Sequence, residues 1–418
     1  MAATTIAQEI TRLTTAKADL KTAIEGKGVT VPSSTLLDGY AALVDQIQQG
    51  GAEEAPENDV NFYDFDGRRI ASYTIAEAKA LTELPTPPTH EGLRFQAWNW
   101  TLNDIATYDR QYIDVGANYI TTDGKTHIFA RVTENNVTLS IMGRNGTISV
   151  NWGDGSAEDG YTYTTQLNHS FTHTYADVGV YEIVIGFTTS QNGDYFLSNR
   201  YIASSAGWIG IAAYEIRYGS HILWNAQNQH TSGTPYVMSI PSDVVFEGNQ
   251  TIQRSYIDTV VFPRNNAISF TLAYPVVINH LIFPRSVTFF GQNGYLMYRS
   301  AINRLVVPEY TDTTAKNGNL FNSIFVNVLS LPSSVSFAAA ATLDSAGLAY
   351  IDIVQGWTPN KNMTINQSHL WTAADLVKFF TKLGTTSTAI TLTFGVNNLN
   401  KLTDEQKAIA TDKGYTLA

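Results

Sequence analysis

Cysteine is absent from all 418 residues, which excludes disulfide staples, zinc–thiolate sites and thiol nucleophiles. Charge is scarce as well. Asp, Glu, Lys and Arg make up 15% of the chain, against roughly 25% in an average soluble domain, so Asn, Gln, Ser, Thr and Tyr must supply much of the polar surface. The 26 Lys and Arg residues are scattered under a net charge of −11. Without a basic cluster to neutralise phosphates, neither nucleic acid nor an anionic membrane surface is expected as a partner. No apolar run approaches the roughly 18 residues of a membrane span, so no membrane insertion is expected. Residues 1–20 carry polar side chains every few positions and lack an apolar h-region. The expectation is a protein made in a cytoplasm without a secretory signal. GxSxG, HExxH and phosphate-cradling glycine loops are also missing. No catalytic residue, metal or cofactor is therefore expected. Paired carboxylates for glycoside cleavage would leave no spacing signature, and no pair stands out.

What is present is a folded chain, 44% hydrophobic and 11% aromatic, long enough for about two to four domains. Ile6, Ile10, Leu13, Leu20 and Ile24 follow the spacing of heptad a and d positions, with Lys17 filling a gap. This predicts an amphipathic helix that buries its stripe either against copies of itself or against a following helix. Gly26 and Gly28 break it, and Leu37, Tyr40, Leu43, Val44 and Ile47 recur on one face after Pro32, predicting the second helix. Residues 1–50 read as a helical attachment and oligomerisation segment. Residues 51–58, rich in Gly, Glu and Pro, read as a linker.

Residues 59–128 read as a small α+β domain. Asp66-Gly67 marks a hairpin, Thr74 with Glu77 forms a capping box, and Thr101 with Asp104 opens a further helical turn. Asp64 and Asp66 belong to the turn, since a calcium loop needs further oxygen ligands that are absent. Over residues 129–190 apolar residues alternate with period two, as expected of an antiparallel β-sandwich. His169 and His173 share a strand face but stand roughly 13 Å apart at ~3.3 Å per residue, too far for one ion. Residues 191–235 read as a connector.

From 236 to 371 five extended runs end in Pro241, Pro263, Pro284, Pro308 and Pro332, spaced 22, 21, 24 and 24 residues apart, and residues 349–354 form a sixth without the proline. Such a period with one short strand per unit predicts a stacked repeat array. Proline has no N–H, so it must stand where each strand leaves the sheet. Residues 372–418 predict a helix–strand–helix–strand cap, with Thr372 and Thr403 as N-caps. Tyr295, Tyr298, Tyr310 and Trp357 lie in or near the array and are candidates for stacking on a glycan. The fold class expected is mainly β and multidomain, with a helical, coiled-coil-like start and an α/β end.

Three resemblances refine this. Trp152-Gly153-Asp154-Gly155-Ser156 followed by His173-Thr174-Tyr175 and Gly179-Val180-Tyr181-Glu182-Ile183 resembles the PKD family of immunoglobulin-like sandwiches, although the aromatic between Trp and the first Gly is missing. That resemblance implies a spacer or adhesion module. Pro284-Arg285-Ser286-Val287-Thr288 and Pro332-Ser333-Ser334-Val335-Ser336 resemble the turn of BspA-type leucine-rich repeats, without that family's later Ala-Phe pair. Lys27-Gly28-Val29-Thr30-Val31-Pro32, the stretch from Asn61-Phe62-Tyr63-Asp64-Phe65-Asp66-Gly67 to Leu93-Arg94-Phe95-Gln96-Ala97-Trp98-Asn99, and Leu402-Thr403-Asp404-Glu405-Gln406-Lys407 resemble fibre and tail-associated proteins of phages that infect gut bacteria. That resemblance implies a virion protein, usually a homotrimer. It would be joined to other virion proteins through its N-terminal part and display its β domains to a glycan or protein of the host surface. A BspA-like bacterial adhesin and a polysaccharide-degrading tail enzyme are the alternatives.

Overall fold

The computed structural model describes residues 6–25, 31–32, 34–36, 40 and 59–418, the last range excepting 166, 189–194, 198–207, 221, 226–227, 230–235, 248–249, 254–255, 265–266, 269, 274–275, 291–294, 299, 313–318, 323–324, 338–340, 344–346 and 367. The chain divides into two compact units, Met1–Asn58 and Asp59–Ala418.

In the first unit one helix spans Ile6–Glu25. Ile10, Leu13 and Leu20 stay 59%, 48% and 42% exposed, whereas Ile24 is 2% exposed and packs with Val31 and Tyr40. The Lys17 ammonium lies 5.9 Å from the centre of the Tyr40 ring. Ile24 therefore leaves the expected self-association set, because its own chain already covers it. The Ile6 side chain falls outside the described residues, as do Leu37, Leu43, Val44 and Ile47 of the second expected helix and the whole of linker 51–58.

The second unit is mainly β, in several sheets. Strands Arg69–Tyr73, Val60–Tyr63, Ile113–Thr121 and Leu93–Trp98 form one four-stranded sheet in that order. The hairpin at Asp66-Gly67 is wider than the two-residue turn expected, since Tyr63 pairs with Arg69 across an irregular register. The helices Ile75–Lys79 and Leu102–Ala106 both start on complete capping boxes, Thr74 with Glu77 and Thr101 with Asp104.

A sheet of eleven strands runs through the rest. Its strands Tyr350–Ile353, Phe325–Leu331, Ser300–Val306, Val276–Ile282, Tyr256–Val261 and Tyr236–Ser239 come one from each sequence repeat and pair in parallel. The repeats are richer in strand than expected. They also pair through Gln250–Gln253, Phe270–Ala273, Tyr295–Tyr298 and Asn319–Asn322, and through Ser286–Phe290 and Glu309–Asp312. Ile257, Val260 and Phe262 and their counterparts Ile278, Leu281 and Phe283 fill the core between these ladders, where the Phe262 and Phe283 rings stack at 5.0 Å. Beyond Tyr236–Ser239 the sheet passes to Ile211–Arg217, then turns antiparallel through Thr126–Val132, Gly179–Thr188, Gly146–Asn151 and Asp159–Tyr163. A small sheet, built on Asn136–Gly143 paired with Leu167–Thr174, shares the same core. At the other end the helix Ala373–Lys382, N-capped by Thr372 and Asp375, buries Leu376, Phe379 and Phe380. The parallel strands Ile390–Thr393 and Tyr415–Leu417 follow it.

The proline column explains how the four-stranded sheet docks on the repeats. Phe262 donates its N–H to Ile282 O at 2.8 Å. In a parallel ladder its own carbonyl should then accept from residue 284, which is a proline. Val307 donates to Ser330 O at 3.0 Å, and its carbonyl meets the same difficulty at Pro332. A buried carbonyl left without a donor costs about 1–3 kcal/mol. Side chains of residues 99–118 supply the missing donors. The Asn118 amide donates to Ile240 O (2.9 Å), Asn99 to Phe262 O (3.0 Å), the Trp100 indole to Phe283 O (2.9 Å) and the Arg110 guanidinium to Val307 O (3.0 Å). All four donors are at most 3% exposed. A Cβ on Gly116 would lie 2.3 Å from Val261 Cγ1, so only glycine permits this close approach.

Candidate functional site

Two of the four expected glycan-stacking residues lie in the core. Tyr310 and Trp357 are each 4% exposed within the main core. This corrects their assignment, because a ring enclosed on both faces offers nothing to a sugar. Tyr295 and Tyr298 lie on the strand Tyr295–Tyr298, and their side chains fall outside the described residues. Asp64 and Asp66 hold the turn. Asp64 accepts from Phe65 N–H at 2.9 Å and faces His90 Nε2 at 2.8 Å, while Asp66 accepts from Arg68 N–H at 2.9 Å. His169 stacks on Tyr161 at 3.7 Å, and burial lowers its pKa. His173 instead stacks on Trp152 at 4.9 Å and meets Asp154 Oδ2 at 2.7 Å. Among the described residues no group of three or more His, Cys, Asp or Glu could hold a metal ion, and no helix is long and apolar enough to cross a membrane.

The Trp152 turn is a structural device. Tyr175 donates its hydroxyl to Trp152 O at 2.8 Å, and the indole donates to Asp159 at 2.6 Å. Gly153 sits at φ 79°, where a Cβ would strike Glu182 O at 2.3 Å. Hydrogen bonding from Ser156 holds the Asp154 pKa down to about 2 against the opposing effect of burial, with help from His173. A depressed carboxylate stabilises the fold above its ordinary pKa, and that contribution is lost as pH falls through the folded value. The gap in thermal midpoint between the protein and Asp154→Asn is therefore expected to narrow as pH falls from 3.8 to about 2. A gap that is constant across this window would refute the assignment.

A second polar cluster is enclosed. Asp114 faces Arg304 at 3.3 Å beside His280 and Tyr63, whose rings lie 4.4 Å apart. Burial raises the Asp114 pKa against the pull of Arg304, lowers that of His280 and pushes Tyr63 up to about 12.

The open site lies on the outer face of the long sheet. A cleft of about 540 Å³ is lined by His90, Glu91, Gly92, Thr121, His127, Phe129, Glu182 and Arg217. Its floor is set by register. Phe129 stands between Glu182 and Glu215 on the neighbouring strands, and His127 between Val184 and Arg217. Alternation sends Ile128 and Ala130 into the core and His127 and Phe129 outward. The third strand would be out of phase, since Ile211 and Ala213 point inward. The register shifts between Ala213 and Glu215, leaving Tyr214 as the extra, 39% exposed residue. This bulge turns Glu215 and Arg217 out and Ile216 in, the re-aiming that bulges provide beside sites.

No family model, curated protein or solved structure matches this chain. Arg217 donates from Nε to Glu215 at 2.6 Å and from Nη1 to Glu91 O at 2.8 Å, with its guanidinium carbon 4.9 Å from the centre of the Phe129 ring. His127 lies between two carboxylates, with Nδ1 at 2.7 Å from Glu182 and Nε2 at 3.2 Å from Asp123. Burial works to raise the Asp123 pKa, but the Lys125 N–H and His127 outweigh it and leave it lowered. The 90–92 wall is pinned by His90 to Asp64 and by Thr122 N–H to Gly92 O at 2.9 Å. Fixed donors, fixed acceptors and a half-buried ring give the cleft the means to bind a polar ligand. Sequence reasoning assigned a binding role to none of the residues lining the cleft. His127, Phe129 and Glu182 sit in the polar phase of their strands, as any solvated face does, and the bulge puts Arg217 out of phase.

Proposed function

We propose that this chain is a structural fibre protein of a virus particle, on the tail or the head, which attaches through its N-terminal part and presents the Asp59–Ala418 unit to a host surface. The observation that carries this reading is the apolar stripe of the first unit. Ile10, Leu13 and Leu20 remain exposed on one 20-residue helix. Exposed leucines at heptad spacing are what a parallel assembly of copies would cover. The second unit supports the display role. Parallel strands stacked at the sequence repeat fit a leucine-rich-like solenoid, the Trp152–His173–Tyr175 packing fits a PKD-like sandwich, and the final helices and strands fit a cap. Homotrimeric assembly, contacts with other virion proteins and recognition of a host glycan or protein are parts of the same proposal.

Light scattering tests it. The intact chain is expected to behave as an assembly of copies and the double variant Leu13→Asp/Leu20→Asp as a 45.9 kDa monomer. A monomer in both cases would refute attachment through this helix. A second reading, cleavage of a polysaccharide, is favoured by the carboxylates Glu91, Asp123 and Glu182 at or beside the cleft. Release of oligosaccharide from host capsule, lost in Glu182→Gln, would replace the first reading with this one.

A further inference from the structure

We propose that the cleft between residues 90–92 and the outer face of the long sheet is a carbohydrate-binding subsite, with Glu182 and Arg217 as its polar contacts. The inference deepens the display reading and rests on it for a surface glycan being the ligand.

The lining selects this class. An anionic ligand would meet Glu91 and Glu182, while the nearest cation, Arg217, is already paired with Glu215. A cationic ligand would meet these carboxylates, but also the Arg217 guanidinium, which repels it and lies over the Phe129 ring so that no open aromatic face is left. An apolar ligand would strand the charged groups without partners. A sugar both donates and accepts, and both functions are present. Glu182 spends one oxygen on His127 and its side chain remains 48% exposed, so a carboxylate stands ready to accept from hydroxyls. Two of the five guanidinium donors of Arg217 are committed to Glu215 and Glu91 O, which fixes the plane of the group while leaving further donors on it. Side chains fixed in advance lose little freedom on binding. His127 is held between Glu182 and Asp123, so it positions Glu182. The bulge at Tyr214 is explained by the same assignment, because it turns Arg217 to the outer face where the cleft lies.

The test uses the full chain on an array of immobilised glycans, with hexalysine peptide as the competing class. Wild type is expected to bind a subset of glycans. Glu182→Gln, which preserves shape, and Arg217→Met are each expected to weaken that binding about tenfold or more, as loss of one charge-assisted hydrogen bond requires. Thr162→Ala, on the exposed Thr147–Thr162 pair, is expected to bind as wild type. If Arg217→Met lowers the thermal midpoint, Glu182→Gln alone decides. The subsite is overturned if wild type binds no glycan, if Glu182→Gln binds as tightly as wild type, or if hexalysine binds and requires Glu182. Light scattering on the same samples separates the two proposals. An assembly without glycan binding overturns the subsite alone, whereas a monomer that binds glycan through Glu182 overturns attachment alone.

Discussion

Asp352→Ala is expected to destabilise the Asp59–Ala418 unit by about 3–5 kcal/mol, the scale for removing one member of a buried ion pair. Asp352 is 0% exposed and serves four donors. It accepts from Lys382 Nζ at 2.6 Å, Gln111 N–H at 2.9 Å, Ser330 Oγ at 3.1 Å and Tyr112 N–H at 3.5 Å. These donors come from the helix Ala373–Lys382, the segment that crosses the repeats, and the repeat strand Phe325–Leu331. One carboxylate thus ties the last repeat to both of its covers. Alanine would leave buried N–H groups and a lysine without an acceptor. Asp352→Asn keeps an acceptor oxygen and should lose less, about 1–2 kcal/mol, the difference between charged and neutral hydrogen bonds. Denaturant midpoints at constant slope measure both. A loss below about 1 kcal/mol for alanine would mean that the network contributes little net stability.

Asn99→Ala should cost about 3 kcal/mol, because it orphans two buried groups at about 1–3 kcal/mol each. Its amide N–H serves Phe262 O at 3.0 Å, and its Oδ1 accepts from Gly116 N–H at 2.8 Å. The origin of the first bond makes a stricter test possible. Phe262 O needs Asn99 only because position 284 is proline. Pro284→Ala restores an N–H there, at a cost of about 0.4–1 kcal/mol from the freer unfolded chain. In the double variant that N–H can take over the orphaned carbonyl. The two changes should therefore couple favourably by about 1 kcal/mol in a double-mutant cycle. Strict additivity would show that the amide is not substituting for a ladder bond.

Much of the body could be read from residue order. The prolines marked the repeat strands, since a residue without N–H can stand only where a ladder ends. Thr74, Thr101, Thr372 and Thr403 announced helix starts because a cap and its N3 partner are local in sequence. The same locality limited what could be read. Proline signals an absent donor but cannot say what replaces it. The replacements for the repeat carbonyls, Asn99, Trp100, Arg110 and Asn118, lie more than a hundred residues earlier. Tyr310 and Trp357 were candidates for surface stacking, yet the core encloses them. Aromatic identity does not distinguish a core ring from a binding ring. Ile24 kept its heptad place but is covered by Val31 and Tyr40. The candidate cleft was invisible for a related reason. Its residues come from a turn and four strands, and a one-residue bulge decides which way Arg217 points.

By itself the sequence determined the period of the repeats, the helix caps, the two-residue alternation of the strands over residues 129–190 and the lack of any thiol chemistry. Each of these depends on residues a few positions apart, or on composition alone. Only the tertiary structure decided which strands adjoin, which side chains replace the N–H groups missing at proline, and which charges meet over Phe129. Those outcomes depend on register between distant strands, where a shift of one residue reverses every side chain from core to solvent.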